Sequence, residues 1–223
     1  MISVVIPTLN AGRTLSATFL SIFDAAVEGI VSEVIVSDGG STDATRQIAE
    51  EAGARLIEVE RGRGQQLRAG AEAARKPWLL FLHADTTLDA GWTNEALAFM
   101  KHGSGAAAFR FRLADDGFNP RLLERLVALR CALFRLPYGD QGLLISRELY
   151  DEVGGFAPIP LMEDVEIIRK LGSGRLAMLK TNAVTSADRF REQGYFRRSA
   201  RNLWCLSLYL RGVPPEKLVE QYG

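Results

Sequence analysis

Residues 78–88 read WLLFLHADTTL, and the fold turns on how this stretch is understood. Trp78-Leu79-Leu80-Phe81-Leu82 is an unbroken apolar run, the pattern of a strand covered on both faces. His83-Ala84-Asp85 follows at once, so an imidazole and a carboxylate stand where that strand must leave the core. Side chains two apart on an extended chain point to the same side. A core strand that delivers two polar groups to its carboxyl end suggests that something binds there.

Toward the N-terminus, strands and helices alternate. ISVVIP (2–7), EVIVSD (33–38) and ARLIEVE (54–60) read as strands; TLSATFLSIFDAA (14–26), STDATRQIAEEAG (41–53) and GQQLRAGAEAAR (64–75) read as helices. The stretch WLLFLHAD is the fourth strand. Such βαβ repetition implies an α/β fold with a mostly parallel, Rossmann-like sheet flanked by helices. Ligands of such sheets bind outside the carboxyl ends of the strands. PTLN, SDGGSTD, ERGRG and HAD are therefore the places where chemistry is expected.

Beyond residue 105 the pattern loosens. GAAAFRFRLA (105–114) reads as a more exposed strand, PRLLERLVALRCALFRL (120–136) as an amphipathic helix, and GLLIS (142–146) as a short strand after the polar turn PYGDQ. GGFAPIPLMEDVEIIRKLG joins a Gly/Pro-rich loop to a helix starting near Glu163 and Asp164. The last thirty residues read as one helix, a break at Pro214-Pro215 and a short terminal helix. One domain over 1–188 with a helical tail over 189–223 is the expected organisation.

Composition narrows the classes. Of 223 residues, 47% are hydrophobic and 24% charged, and 27 Lys+Arg balance 27 Asp+Glu. A nucleic-acid binder would carry a basic excess, so that partner is not expected. Cys131 and Cys205 stand far apart in apolar helical patterns, as reduced structural thiols do. MISVVIPTLN lacks the basic start of a signal peptide, and no apolar run approaches the ~20 residues of a membrane-spanning helix. The expected compartment is the cytoplasm.

At the strand ends, SDGGSTD places Asp38 before two glycines that let a backbone approach a ligand; taken alone it reads first as a well-capped βα turn. ERGRGQQLR sets arginines among glycines at a helix start, a phosphate seat or a solvated basic loop. It lacks the third glycine of a dinucleotide fingerprint, and no Walker A motif occurs. Asp85 beside phosphates would call for a divalent cation, magnesium or manganese, with His83 tilting the choice to manganese; His83 reads alternatively as a core histidine. His102 reads as a surface residue. Glu163 and Asp164 at a helix start suit the macrodipole, while the Gly/Pro-rich loop before them turns them toward a cleft. Asp140 and Gln141 form a further polar cluster.

Taken in order, these motifs resemble the inverting family-two glycosyltransferases of the GT-A fold, over Ile2 to about Arg189. VVIPTLNA is similar to that family's opening strand and loop, which implies that Pro7, Thr8, Leu9 and Asn10 line the nucleotide. VSDGGSTDAT is similar to its Asp-Asp-Gly-Ser-Thr-Asp turn, with Asp38 in the first acidic place and Gly39 in the second. GRGQQLRAGAEAA resembles the family's glycine-basic-glycine helix start, which implies donor contacts for Arg63 and Gln66. FLHAD falls on the metal-binding Asp-X-Asp, giving His83, Ala84 and Asp85, and MEDVE on the Glu-Asp pair that supplies the catalytic base. The resemblance implies a nucleotide-sugar donor, a divalent metal, Asp164 as base with Glu163 beside it, and Asp140, Gln141 and Arg189 toward the acceptor or diphosphate. FLHADT, GDQG, IPLMEDVE and TSA further resemble the bacterial radical-SAM/selenodomain-associated transferases.

This sequence departs from the family twice. His83 replaces the first acid of Asp-X-Asp, and Gly39 removes a carboxylate near the base or ribose. The Gln-X-X-Arg-Trp motif of processive relatives is absent, which argues against polymer synthesis. Two other readings remain open: a nucleotide-sugar-binding protein without turnover, and a sugar-phosphate nucleotidyltransferase. The latter would place a Gly-rich, Arg-containing loop after the first strand, where this chain has PTLNAGRTL. The acceptor is expected to be lipid-linked or a small molecule. The tail's mixture of arginines and aromatics fits a peripheral contact at the inner membrane face, or apolar residues packed on the domain with the arginines left in solvent.

Overall fold

The computed structural model describes residues 1–101 and 105–222; His102 lies outside the described residues. Eight strands form one sheet: β1 (Ile2–Thr8), β2 (Val31–Asp38), β3 (Arg55–Glu58), β4 (Trp78–Phe81), β5 (Thr86–Leu88), β6 (Ala106–Leu113), β7 (Leu143–Ser146) and β8 (Leu176–Thr185). Their spatial order is β3-β2-β1-β4-β7-β6-β8-β5. The half from β3 to β4 is parallel. The second half is mixed: β7 runs antiparallel to β4 and β6, β8 is parallel to β6, and β5 is antiparallel to β8.

The helices are α1 (Leu15–Val27), α2 (Thr45–Glu51), α3 (Arg63–Ala73), α4 (Trp92–Lys101), α5 (Phe118–Phe134), α6 (Arg147–Glu152), α7 (Glu163–Leu171), α8 (Asp188–Gln193), α9 (Tyr195–Leu210) and α10 (Pro215–Tyr222). Alternation along β1 explains the layers. Val4 and Ile6 pack with Leu15 and Ile22 of α1 on one face, while Val5 packs with Leu67 and Ala71 of α3 on the other. Both faces are covered, as the continuous apolar runs require.

The opening stretch is not one strand. β4 stops at Phe81, Leu82 N still donates to Val5 O, and a turn closed by Thr86 N donating to His83 O separates it from β5. In a flat sheet β4 and β5, four places apart, would be about 19 Å from each other. Five Cα steps span at most about 18 Å when fully extended, and a link containing a turn falls short of that. The sheet must curl, and it brings His83-Ala84-Asp85 into the hollow of the curl. Thr18 Oγ1 of α1 supports the turn by donating to Ala84 O at 3.0 Å.

Other differences have local causes. The strand read as more exposed, β6, lies inside the sheet with Ala106–Phe109 buried; only Arg110 and Arg112 reach solvent. The last thirty residues form one helix, α9, a break at Pro214 and the short α10, as expected; a separate short helix, α8, precedes them and ends at Gly194 (φ 83°). Of the two placements expected for the tail, packed on the domain or extending from it, α9 takes the first: Cys205 and Leu206 bury against Leu161, Met162 and Val165. Both cysteines are free and buried.

Candidate active site

On one side of the hollow, the loops after β1 and β2 hold each other. Asn10 adopts a left-handed backbone (φ 52°). Its N–H donates to Ser41 Oγ at 2.8 Å and its side-chain oxygen accepts from Thr42 N at 2.9 Å. Ala11 N donates to Thr45 Oγ1 at 2.7 Å and Gly12 N to Asp43 Oδ2 at 2.9 Å. The loop leaves Leu9 and Asn10 exposed and Pro7 half-buried.

Asp38 is fully buried and accepts from Thr8 Oγ1 (2.9 Å), Ser41 N (2.8 Å), Ser41 Oγ (2.5 Å), Gly40 N (3.1 Å) and Arg46 Nε (3.0 Å). Burial pushes its carboxyl up, but the bonds from Ser41, Thr8 and Arg46 outweigh it and hold the group below the usual range. A carboxylate has about four acceptor sites, so Asp38 has none left for a ligand. It frames the loop, and Thr8, buried with its hydroxyl on Asp38, belongs to the same frame.

Gln66 is likewise internal: its Nε2 donates to Thr8 O at 2.6 Å and Ser37 O at 2.8 Å, stitching the ends of β1 and β2. A Cβ on Gly39 would meet this amide at 3.0 Å. The missing side chain at 39 and the buried Gln66 are thus one packing solution.

The opposite side is built by α7 and the turn before β7. The loop preceding α7 lies on the start of α3 so closely that a Cβ on Gly64 would stand 2.3 Å from Ala157 O. That approach brings Arg63 to Glu163 as an ion pair at 3.3 Å. Met162 enters the helix with φ 67°, a conformation costly for a side chain without a β-turn role and often retained at functional sites. Glu163 is almost fully buried, and its Oε1 has no hydrogen bond. Burial raises its carboxyl to about 7, against the pull of Arg63.

Asp164 is half-buried, with Oδ2 accepting from Gly139 N at 2.8 Å and Oδ1 from Val165 N at 2.7 Å. A Cβ on Gly139 would stand 2.7 Å from His83 Nε2 and 3.5 Å from Asp164 Oδ2, so the absence of a side chain there lets imidazole and carboxylate converge. Burial and Arg63 lower His83 to about 4, outweighing Asp85 and Asp164, so the ring is neutral near pH 7. Asp140 is raised to about 6 by burial, with Arg130 opposing, and its Oδ1 is buried without a hydrogen-bond partner.

Gln141 is buried. Its Nε2 donates to Phe109 O at 2.9 Å, and its oxygen accepts from Tyr138 N and Arg130 Nη2, each at 3.3 Å. It ties the turn to β6 and α5 and does not face the cleft. Arg189, exposed on α8, is near enough to act on His83. Two residues escaped the sequence reading: Tyr138, whose ring lies 3.5 Å beneath the Arg130 guanidinium, and Asn202 of α9. Tyr138 could have been noticed beside GDQ; Asn202 has no signal in a helical tail.

Two cavities meet at Glu163 and Asp164. One is mostly apolar, walled by Phe81, Leu143, Phe156 and Ile167, with His83 at its polar end. The other lies between α7 and α9, lined by Arg63, Tyr138, Met162, Asn202 and Leu206. Among the described residues no three His, Cys, Asp or Glu side chains converge on one point. The donors on offer are the Asp85 carboxylate and the neutral His83 imidazole. That set fits a hard divalent ion whose shell is completed by phosphate and water, the usual mode for magnesium and its congeners.

Comparison with known proteins is consistent with this geometry. Residues 3–161 match the family model of Glycosyl transferase family 2. The Glycosyltransferase AglJ of Haloferax volcanii is 37% identical over 91 residues, 40% of this chain and 29% of that protein. A PGL/p-HBAD biosynthesis glycosyltransferase of Mycobacterium bovis is 38% identical over 95 residues, 40% of this chain and 36% of that one. The matched stretches thus span about a third of those relatives' length. A crystal structure of glucosyl-3-phosphoglycerate synthase from Mycobacterium tuberculosis with Mn2+, uridine diphosphate and phosphoglyceric acid superposes with a TM-score of 0.64 at 23% identity. It covers 96% of this chain and 79% of that one. The fold is the mixed α/β GT-A fold, with its curled sheet and helical C-terminus.

Proposed function

The chain belongs to Glycosyl transferase family 2, and from that premise we propose that it moves a sugar from a nucleotide-diphosphate sugar to an acceptor hydroxyl with inversion. A uridine-diphosphate sugar is the first donor to test, since the solved relatives were crystallised with uridine diphosphate or UDP-glucose. In this reading the loop 7–12 and the turn after β2 seat the nucleotide, and Arg63 faces the diphosphate. Asp85 and His83 would hold a divalent ion, which when bound neutralises charge on the leaving diphosphate.

Asp164 takes the proton of the acceptor hydroxyl while that oxygen attacks the anomeric carbon from the side opposite the diphosphate. One displacement inverts the centre. Arg63 offsets charge developing on the departing group. The observation that carries the reading is the setting of Asp164: its carboxylate is aimed by two backbone N–H groups at the junction of two cavities, beside the neutral His83. The motifs around FLHADT and IPLMEDVE keep the chain, in this reading, with the bacterial radical-SAM/selenodomain-associated transferases.

The test is product analysis. Purified protein with manganese, UDP-glucose and a panel of hydroxyl acceptors should release uridine diphosphate and yield a glycosylated acceptor. Pyrophosphate release would indicate nucleotidyl transfer instead. A melting-temperature rise with donor but no product from any acceptor would favour the binding protein.

A further inference from the structure

Two neighbouring helices turn large apolar side chains to solvent. On α5, Leu126, Leu129, Leu133 and Phe134 are exposed, the last two by 66% and 71%. Leu126, Leu129 and Leu133 recur at three- and four-residue spacing and so share one face. On α9, Phe196, Leu203 and Trp204 are exposed as well. The helices touch each other, and Val127 and Cys131 of α5 share a core cluster with Tyr195 at the start of α9.

Charge is segregated onto the same pair. On this pair Arg125, Arg197 and the C-terminal cap residues Arg135 and Arg211 are exposed, whereas Arg121 is paired with Glu124 and Asp116, Arg130 lies over the Tyr138 ring and Arg198 is buried. The whole chain, by contrast, has a formal net charge of zero. α1 provides an internal control. It also exposes Leu20, Phe23 and Val27, but its only charged residue is Asp24, and Glu28 follows.

We infer that the α5–α9 face docks on an anionic bilayer surface. Leucine and aromatic side chains enter the headgroup boundary while the exposed Arg125, Arg135, Arg197 and Arg211 meet lipid phosphates; this pairing distinguishes an interfacial face from an apolar patch such as that of α1. The cavity between α7 and α9 lies against the docking helix, and Asn202 Oδ1, one of its lining groups, is buried without a hydrogen-bond partner. A hydroxyl on a membrane-borne acceptor can fill that place and lie next to Asp164. This last step rests on the proposed transferase reading; the docking does not.

The experiment is co-sedimentation of the full chain with phosphatidylcholine vesicles, with and without phosphatidylglycerol, at low and high salt. Wild type should partition onto the phosphatidylglycerol vesicles, less so at high salt. Leu129→Glu/Leu133→Glu should weaken partition at least about tenfold, and Phe23→Glu should leave it unchanged; circular dichroism melts confirm that each variant folds. No partition at low salt, or equal partition by the double variant, overturns the inference. So does a dimer in light scattering that the double variant dissolves while vesicles go unbound, which assigns the face to a second copy. The melting shift with uridine diphosphate and manganese, measured on the same samples, reports separately on the transferase reading.

Discussion

The two sides of the hollow treat their polar groups in opposite ways. Around Asp38 the charged group is fully engaged: the carboxylate accepts five hydrogen bonds and Gln66 Nε2 closes the strand ends, with the buried Ser37 hydroxyl left unpaired beside them. Around Asp164 the neighbours are unfinished. Glu163 and Asp140 each bury a carboxylate oxygen without a hydrogen bond, and both are pushed toward neutrality. A satisfied network is rigid and stabilising, whereas an unsatisfied one costs folding free energy and awaits a partner. The contrast suits a preformed seat facing a reactive edge.

The largest expected effect lies on the reactive edge. Asp164→Asn keeps the shape and can still accept a hydrogen bond from Gly139 N, but cannot take a proton usefully. Turnover should fall roughly 10²–10⁴-fold while donor affinity stays put, because the seat lies across the hollow. Near-normal turnover would move the base to Glu163 or Asp140.

Next in size is damage to the seat. Asp38→Ala strands Thr8, Ser41 and Arg46 and should lower stability by roughly 2–4 kcal/mol, read as a drop in melting temperature on the order of 10 °C. If the variant melts like wild type, the frame role is wrong.

The smallest effect sharpens the contrast through pH. Glu163 holds its proton to about 7 in the folded chain, against 4.5 as its ordinary value. Between those values unfolding releases a proton, so this group subtracts stability as pH rises through the window, and the loss levels off above pH 7. Glu163→Gln, uncharged throughout, should match wild type near pH 4.5 and melt higher than wild type at pH 8. A variant that is less stable at pH 8 would show that the Arg63 pair outweighs burial.

Much of the seat was legible because β1, β2 and α3 have strong local patterns and their motifs lie in loops between them. The reactive edge was only half legible. Glu163 and Asp164 stand out in the sequence, but their convergence with His83 through the bare Gly139 depends on tertiary approach. β8 was missed because LAMLKTNAVT is only partly buried and mixes polar with apolar residues at irregular spacing. β5 was missed because Thr86-Thr87-Leu88 is too short to show an alternating pattern. Gln66 and Asp38 show the limit most clearly: their place in a motif marks them as ligand contacts, and nothing in the sequence signals that Asp38 accepts five hydrogen bonds from the protein or that Gln66 Nε2 donates to Thr8 O and Ser37 O. The exposed leucines of α5 were legible as a helix face, but not as the face turned outward.

In the proposed reading the turn between β4 and β5 serves a metal-dependent nucleotide seat. Calorimetry of uridine diphosphate binding with and without manganese, on wild type and on Asp85→Ala, tests it directly. Manganese should strengthen binding to wild type at least about tenfold and leave binding to Asp85→Ala unchanged. Equal enhancement in both proteins would contradict the assignment of Asp85 and, with it, this account of the hollow.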